Sequence, residues 1–436
     1  MISFFKLSLK LQGFPIDQAI SDLNVIVNFT SAEHQQFIES KKAEIVNFHL
    51  QNNVFYKNLV DDVWDGQWEN LPVLTKTNLQ KQLSERLSDG FSKKNVYVNK
   101  TSGSSGTPFV FAKDKYSHAL TWASNYYRFG WHGINLDNSK QARFYGIPLD
   151  FFGYYKERLK DFLGNRYRFK VFDLSDKVLN GFLEQFKSKK FDYINGYTSS
   201  LVMFAKYLQK KNIVLKTICP SIKVCIVTSE MLFEDDKKLL ETYFGVPIVN
   251  EYGASEIDLI AFGNRNGEWQ VNSETLFVEI LDDHNNVVKN GESGRVVITS
   301  LFNKAHPFIR YDVGDIGILD EISTLQKPIL QQLIGRTNDF AMLPSGKKTP
   351  GLTFYYITKS IIEDDGNVKE FVIKQTNINQ FDVDYVSDIE LNNTQVLKIE
   401  KAVALYLEPN LHFGFTRKLV LDRTSRGKLK QFTSNL

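Results

Sequence analysis

The residues of this chain whose types and spacing could do chemistry begin with Thr101-Ser102-Gly103-Ser104-Ser105-Gly106-Thr107-Pro108, set between the apolar runs Val96–Val98 and Phe109–Ala112. Glycines and hydroxyl side chains let backbone N–H groups converge on an anion and add donors of their own, which is the chemistry of phosphate binding. Two known phosphate loops are excluded. A Walker A loop has Lys and Ser/Thr directly after its second glycine, whereas Gly106 is followed by Thr107 and Pro108. A dinucleotide fingerprint needs three glycines, and Gly103 and Gly106 supply two. A flexible Ser/Gly linker is the bland alternative, and the β-branched runs on both flanks argue against it.

A second set of residues lies in a strand–helix–strand pattern: Lys223–Thr228, an amphipathic Leu232–Phe244, then Pro247–Val249. In a parallel sheet ligands sit at the carboxyl ends of strands. Ser229-Glu230 and Asn250-Glu251-Tyr252-Gly253-Ala254-Ser255-Glu256 follow those ends, so the pattern predicts that they lie side by side. Tyr252 reads equally as a core tyrosine, and Glu256 as a carboxylate favoured at a helix N-terminus. Further on, Asp315 closes Phe308-Ile309-Arg310-Tyr311-Asp312-Val313-Gly314-Asp315, and alone it reads as a turn carboxylate. Arg310 could balance acidic neighbours or contact substrate. Lys428, in Arg423-Thr424-Ser425-Arg426-Gly427-Lys428-Leu429-Lys430, alone reads as part of a solvated basic tail.

Taken in order, these segments resemble the motifs of the adenylate-forming superfamily, which includes acyl-CoA synthetases, peptide-synthetase adenylation domains and luciferase. Thr101–Pro108 is similar to its phosphate loop, Asn250–Glu256 to its adenine motif, Phe308–Asp315 to its ribose motif, Gly335-Arg336-Thr337-Asn338-Asp339-Phe340 to its hinge, and Arg423–Lys430 to its catalytic-lysine loop. Leu71-Pro72-Val73-Leu74-Thr75-Lys76 resembles a segment of the phenylacetate–CoA ligase branch. Within that branch the chain is most similar to the ligase-like proteins of capsular polysaccharide clusters.

The resemblance implies an α/β fold, with a large multi-sheet adenylate-forming N-terminal domain (residues 1–338) and a small mobile α+β C-terminal domain (residues 339–436). It implies ATP and Mg²⁺ as cofactors. Nucleotide binding falls on Thr101, Ser102, Gly103, Ser104, Ser105, Gly106, Thr107, Ser229, Glu230, Asn250, Glu251, Tyr252, Gly253, Asp315 and Arg336. Tyr252 would stack on adenine, Asp315 would accept from the ribose hydroxyls, Glu256 would hold the metal, Asp339 would be the hinge pivot and Lys428 the catalytic cation. The activity implied is activation of a small-molecule carboxylate as acyl-AMP, followed by acyl transfer. After the hinge the chain departs from the thioester-forming pattern, with Met342-Leu343-Pro344-Ser345-Gly346-Lys347-Lys348-Thr349-Pro350-Gly351. An amine or hydroxyl on an amino sugar or nucleotide sugar is therefore the acceptor expected. Coenzyme A, giving a CoA ligase, is the alternative, and a non-catalytic nucleotide-binding protein is the competing class.

The elements that must position these residues are legible more coarsely. A chain of 436 residues exceeds the roughly 250–300 residues of a single core. With 42% hydrophobic and 13% aromatic residues, it has the composition of a ring-rich globular enzyme. The net charge of +3 offers no basic stripe for nucleic acid. Cys219 and Cys225 are too few for a disulfide framework or a zinc site and are expected reduced and buried. Lys6 and Lys10 interrupt the apolar N-terminus, so no signal peptide is expected, and no run reaches the roughly 20 apolar residues of a membrane span. A cytoplasmic protein is expected. Apolar periodicity predicts helices over residues 31–60, Lys115–Phe129 (N-capped by Asp114), Thr353–Ile362 and Asn392–Leu407. Strands are predicted at Phe277–Leu281, Arg295–Thr299, Phe371–Gln375, Phe381–Val386 and Lys418–Leu421.

Overall fold

A computed structural model describes residues 4–60, 64–101, 109–146, 151–171, 174–336, 340–350, 368–423 and 429–436. These fall into two compact units, Met1–Val313 with Gly317–Gln332, and Gly314–Ile316 with Leu333–Leu436.

In the first unit the predicted phosphate loop springs from a hairpin of β1 (Tyr97–Lys100) and β2 (Val110–Lys113), antiparallel with Lys100 opposite Val110. Beside it stands a seven-stranded sheet. Its strands are β3 (Gln141–Phe144), β4 (Arg166–Phe169), β5 (Tyr193–Tyr197), β6 (Val224–Thr228), β7 (Ile248–Ala254), β8 (Asp258–Gly263) and β9 (Trp269–Val271), in the order 4-3-5-6-7-8-9. The pairs from β4 to β7 are parallel, and β8 and β9 are added antiparallel.

All five residues of β6, Val-Cys-Ile-Val-Thr, are buried, as expected of a central parallel strand covered on both faces. Cys225 and Val227 face one layer, where helices Asp176–Ser188, Thr198–Lys211 and Glu234–Phe244 pack a ring-rich core of Phe144, Phe169, Phe182, Phe186 and Phe204. Val224 and Ile226 face the other, with Phe129 of the helix Lys115–Gly130, Val249 and Phe262. Both cysteines are buried and unbridged. Gly196 sits where β5 passes β3, and a Cβ there would lie 2.4 Å from the Phe144 Cβ and 2.8 Å from its carbonyl oxygen. Backbone cannot yield as a side-chain tip can, so Gly196→Ala should cost about 1–3 kcal/mol, the range for overpacking. A fall in urea midpoint at unchanged slope is the expected reading.

The predicted helix over 31–60 is two helices, Ser31–Asn52 and Val54–Val60. The first opens on a Thr30/Glu33 capping box. Asn53 divides them: its Oδ1 accepts from Tyr56 N at 2.8 Å, while its Nδ2 donates to the Arg86 carbonyl and to Ser88 Oγ, both at 3.0 Å. A polar side chain that competes for backbone donors ends one helix and starts the next. Asp114 caps the helix Lys115–Gly130 as predicted, accepting from Ser117 N at 2.8 Å.

The segment around residues 303–312 ties early parts of the chain together. The Asn303 carbonyl meets His49 Nε2 at 3.0 Å, Ser88 N donates to Ala305 O at 3.1 Å, and Lys304 N donates to Asp114 Oδ2 at 2.8 Å. Leu74 forms a parallel bridge with Tyr311. Arg310 is fully buried at φ +45°, and Nη1 of its guanidinium donates to the Glu69 and Leu71 carbonyls at 2.6 and 2.8 Å, while Glu279 lies 3.4 Å from Nε. Of the two roles its sequence left open, Arg310 therefore fills the first: it balances an acidic neighbour inside the fold.

The predicted hairpin appears as β10 (Leu276–Leu281) and β11 (Ser293–Ser300), with Leu276 opposite Ser300. The chain continues into β12 (Tyr311–Leu319) and β13 (Leu330–Arg336).

In the second unit β14 (Phe340–Met342) and β15 (Lys348–Pro350) form a small hairpin. β16 (Val368–Asn377), β17 (Gln380–Ser387), β18 (His412–Lys418) and β19 (Phe432–Ser434) form a sheet in the order 18-17-16-19. The helix Asn393–Tyr406 starts on a capping box of Asn392 and Gln395. The strand expected at Lys418–Leu421 lies earlier, because Phe413 and Phe415 are the alternating residues that pair with β17; Leu419 is 92% exposed. The helix predicted at Thr353–Ile362, like Asp339, lies outside the described residues.

Candidate active site

The β6–β7 register places the second motif set. These strands are parallel with Thr228 opposite Glu251, so Ser229-Glu230 and the segment beginning at Asn250 do lie at neighbouring strand ends. Ser229 turns the chain at φ +70°, a left-handed conformation that costs a residue with a Cβ of order 1–3 kcal/mol and that clusters at functional sites. Glu230 then reaches back to the start of the helix Thr198–Lys211, where its Oε2 accepts from Ser199 N at 2.7 Å. A carboxylate there satisfies an orphan donor and complements the helix dipole.

The second strand differs from expectation. Asn250–Ala254 does not follow β7 but forms its last five residues, because antiparallel β8 extends the ladder beyond the parallel partner. The register slips between Tyr252 and Gly253. A Cβ on Gly253 would lie 2.5 Å from the Asp258 carbonyl oxygen, so the close return of the chain requires glycine. Tyr252 is 9% exposed and meets Trp269 edge-on, with ring centroids 5.9 Å apart. Glu256 lies in the turn to β8, not at a helix N-terminus. It is buried, and its Oε1 accepts from the buried Tyr311 hydroxyl at 2.9 Å.

Burial holds Glu251 above the usual carboxyl range, opposed by the Thr228 hydroxyl and by the charge of Arg143. Beyond Glu256, Asp258 is left-handed at φ +78° and accepts from Thr121 Oγ1 while pairing with the buried Lys113. That contact links the turn both to β2, which follows the predicted phosphate loop, and to the helix Lys115–Gly130.

Of the loop itself, Thr101 is described. Its N–H donates to the Phe109 carbonyl at 2.9 Å, and its Oγ1 accepts from Phe109 N at 3.0 Å. The chain therefore leaves and re-enters residues 102–108 through a closed neck, which is not how a free linker is held. Ser102, Gly103, Ser104, Ser105, Gly106, Thr107, Asp339 and Lys428 lie outside the described residues. Asp315 stands in the middle of β12 and Arg336 ends β13, both in the second unit. Asp315 is thus a strand residue, because β12 continues from Tyr311 to Leu319 without the expected turn.

Sequence reasoning gave no role to Tyr311, although it lies inside a quoted motif. It also missed Lys113, Thr121 and Asp258, whose contact joins residues 137 positions apart between Thr121 and Asp258.

No protein-family model matches the chain. Among curated proteins it is 25% identical over 415 residues to Protein CapK of Staphylococcus aureus, covering 90% of this chain and 87% of that protein. Among solved structures it is similar to a 2-hydroxyisobutyryl-CoA ligase in the postadenylation state, bound to R3-HIB-AMP. That match has a TM-score of 0.70 and 13% identity over 91% of this chain and 88% of the ligase. It is also similar to the amide bond synthetase McbA from Marinactinospora thermotolerans, with a TM-score of 0.55 and 12% identity over 77% and 69%.

Proposed function

From the adenylate-forming fold that this chain has, we propose an ATP-dependent, AMP-forming ligase that activates a carboxylic acid and passes the acyl group to an amine or hydroxyl. The observation carrying this is the β6–β7 register, which sets Ser229-Glu230 beside Asn250–Glu256 at one edge of a parallel sheet.

In the first half-reaction a carboxylate oxygen attacks the α-phosphorus of ATP, and the bond to the bridging oxygen of pyrophosphate breaks. Charge accumulates on phosphoryl oxygens, so catalysis is chiefly positioning and electrostatics. In this reading the hydroxyls and backbone donors of Thr101–Thr107 hold the departing phosphates, Tyr252 borders the base, Asp315 and Arg336 bind the ribose, and Lys428 bridges carboxylate and α-phosphate. Asp339 is the pivot of a boundary between residues 338 and 339. In the second half-reaction the acceptor attacks the acyl carbon and AMP leaves.

Magnesium suits a site of this kind. Among the described residues no group of three metal-ligating side chains exists. Mg²⁺ commonly arrives on nucleotide phosphates and takes one or two protein carboxylates. Glu256, with Oε1 fixed by Tyr311, has Oε2 left to offer. The metal would neutralise phosphate charge.

A sugar amine or hydroxyl, in capsular polysaccharide or O-antigen synthesis, is the acceptor we favour. It is supported by the chain's departure from the thioester pattern over Met342–Gly351 and by its similarity to CapK and to an amide bond synthetase. Similarity to a CoA ligase supports coenzyme A as the second reading. Among the described residues no helix is long and apolar enough to cross a membrane; the proposed reaction would run in the cytoplasm, where ATP is supplied.

The test is acid-dependent exchange of labelled pyrophosphate into ATP across a panel of carboxylic acids, with Mg²⁺ present. Exchange with at least one acid is expected, and the activated acid is then offered coenzyme A and amino-sugar nucleotides together. A sugar amide or ester identified by mass spectrometry supports the first reading, and an acyl-CoA thioester the second. ATP binding without exchange would move the protein to the nucleotide-binding class.

A further inference from the structure

Three arginines share one face of the sheet where β3 and β4 run side by side. Gln141 pairs with Arg166, and Arg143 with Arg168. Residues two apart on a strand point the same way, so all three guanidinium groups leave from the same side. Among the described residues Arg168 is the one of the three that is ion-paired. It bonds bidentately to buried Asp161 at 2.8 and 2.9 Å, to Glu157 at 2.9 Å and to the Gly146 carbonyl at 2.7 Å.

Arg143 and Arg166 form no ion pair among the described residues. Arg143 lies over the Tyr145 ring at 3.9 Å, and its buried Nε has no hydrogen-bond partner. Arg166 has the edge of the helix Phe4–Leu11 near it, its guanidinium 5.9 Å from the Phe5 ring. Burial first, and then repulsion from Arg143, hold Arg166 down to about 10.

Both side chains are half-buried, and the carboxylates near them act only through space, Glu157 and Glu251 on Arg143 and Asp161 on Arg166. A buried guanidinium nitrogen without a hydrogen-bond partner, as at Arg143 Nε, is costly and calls for a ligand or a solvent partner. Their place in the sheet identifies the ligand. Arg143 is in register with Asn195 and, through it, with Ile226. Two residues further along stand Tyr197, Thr228 and Glu251, the row at the strand ends where the acid is activated in the reading given above. Tyr145 and Tyr197 stand in that row, with rings 4.5 Å apart. Arg143 is near enough for its charge to act on Glu251, yet the two form no ion pair. The directly bonded anion that Arg143 lacks among the described residues can be brought by whatever enters from the strand ends.

We propose that Arg143, reinforced by Arg166, receives a second carboxylate on the acid being activated, so that the substrate is a dicarboxylic acid. This rests on the ligase reading and adds its substrate class. One carboxylate would lie toward the α-phosphate. The other would reach back along β3 to the guanidinium, whose fork accepts a carboxylate through two parallel bonds.

The test pairs butanoate with succinate, pentanoate with glutarate, and hexanoate with adipate in the exchange assay. At least one dicarboxylic acid should exceed its monocarboxylic partner tenfold or more in kcat/KM. Arg143→Leu should raise the KM of that acid about 10–100-fold, the range of a lost charge-assisted bond, with kcat and the KM of ATP within twofold. Arg143→Lys should recover part of the loss. Because no ion pair is broken in the free protein, Arg143→Leu should not lower the urea midpoint, whereas a structural arginine would. A preference for monocarboxylic acids, or an unchanged KM in Arg143→Leu, overturns the assignment. If no acid supports exchange, the ligase reading fails separately. Calorimetric titration of succinate, glutarate and adipate into wild type and Arg143→Leu then decides the site alone: heat lost in the variant supports it, and no heat with wild type overturns it.

Discussion

Lys428→Ala is expected to lower acid-dependent pyrophosphate exchange roughly 10²–10³-fold, the cost of one missing donor aimed at transition-state charge. ATP binding by calorimetry should change little, because the proposed scheme assigns the phosphates and the base to other groups. Transfer from a supplied acyl-adenylate should survive, since Lys428 serves the first half-reaction in the proposed scheme. Lysine suits that role as a compact, mobile cation with a reference pKa of about 10.4. The described residues on either side of the Lys428 segment are held in the fold. On one side Arg423 pairs with Glu370 at 2.5 Å, and on the other Leu429 is buried and Phe432–Ser434 adds a parallel strand to Ile373–Gln375. Wild-type exchange in Lys428→Ala would remove this lysine from the mechanism.

Arg310→Leu should have the largest effect on stability, about 3–5 kcal/mol, as when one partner of a buried pair is removed. The variant leaves Glu279, already held above the usual carboxyl range by burial, without its main counter-charge. It also strips Nη1 from two backbone carbonyls. Leucine at φ +45° adds no relief, because the strain belongs to any side chain with a Cβ. Urea unfolding followed by tryptophan fluorescence should show an earlier transition for Arg310→Leu. An unchanged midpoint would mean that the pair contributes nothing net.

Legibility followed the range of the interactions. The βα repeat around β6, the Asp114 cap and the β10–β11 hairpin are written in local periodicity and capping residues, and the structure has each of them. The break at Asn53 escaped because it depends on bonds to Arg86 and Ser88, some 33 and 35 residues away. The Asn250–Glu256 motif was placed at the correct strand but read as following it, since a single sequence does not reveal that β8 would come back antiparallel. The Tyr311–Glu256 bond spans 55 positions and leaves no periodic trace. Arg143 is the sharper case. An arginine in a four-residue strand looks like edge decoration until the register puts it two residues short of the row that holds Thr228 and Glu251.

The ties from residues 303–312 also govern how the chain can be born. His49, Leu74, Ser88 and Asp114 all wait for partners about 190 to 250 positions later. At roughly 5–20 residues per second of synthesis, that is a delay of about 10–50 s, during which the emerging N-terminal helices lack the strand that completes them. Helices can form meanwhile, and those within residues 4–26 can pack on Lys115–Gly130, but the ties to residues 303–312 stay unmade. The nascent chain is therefore expected to leave these ties unmade until residue 312 has cleared the exit tunnel. A truncation ending before Asn303 should emerge aggregation-prone, while one ending after Gln332 carries every tie needed to close the large unit.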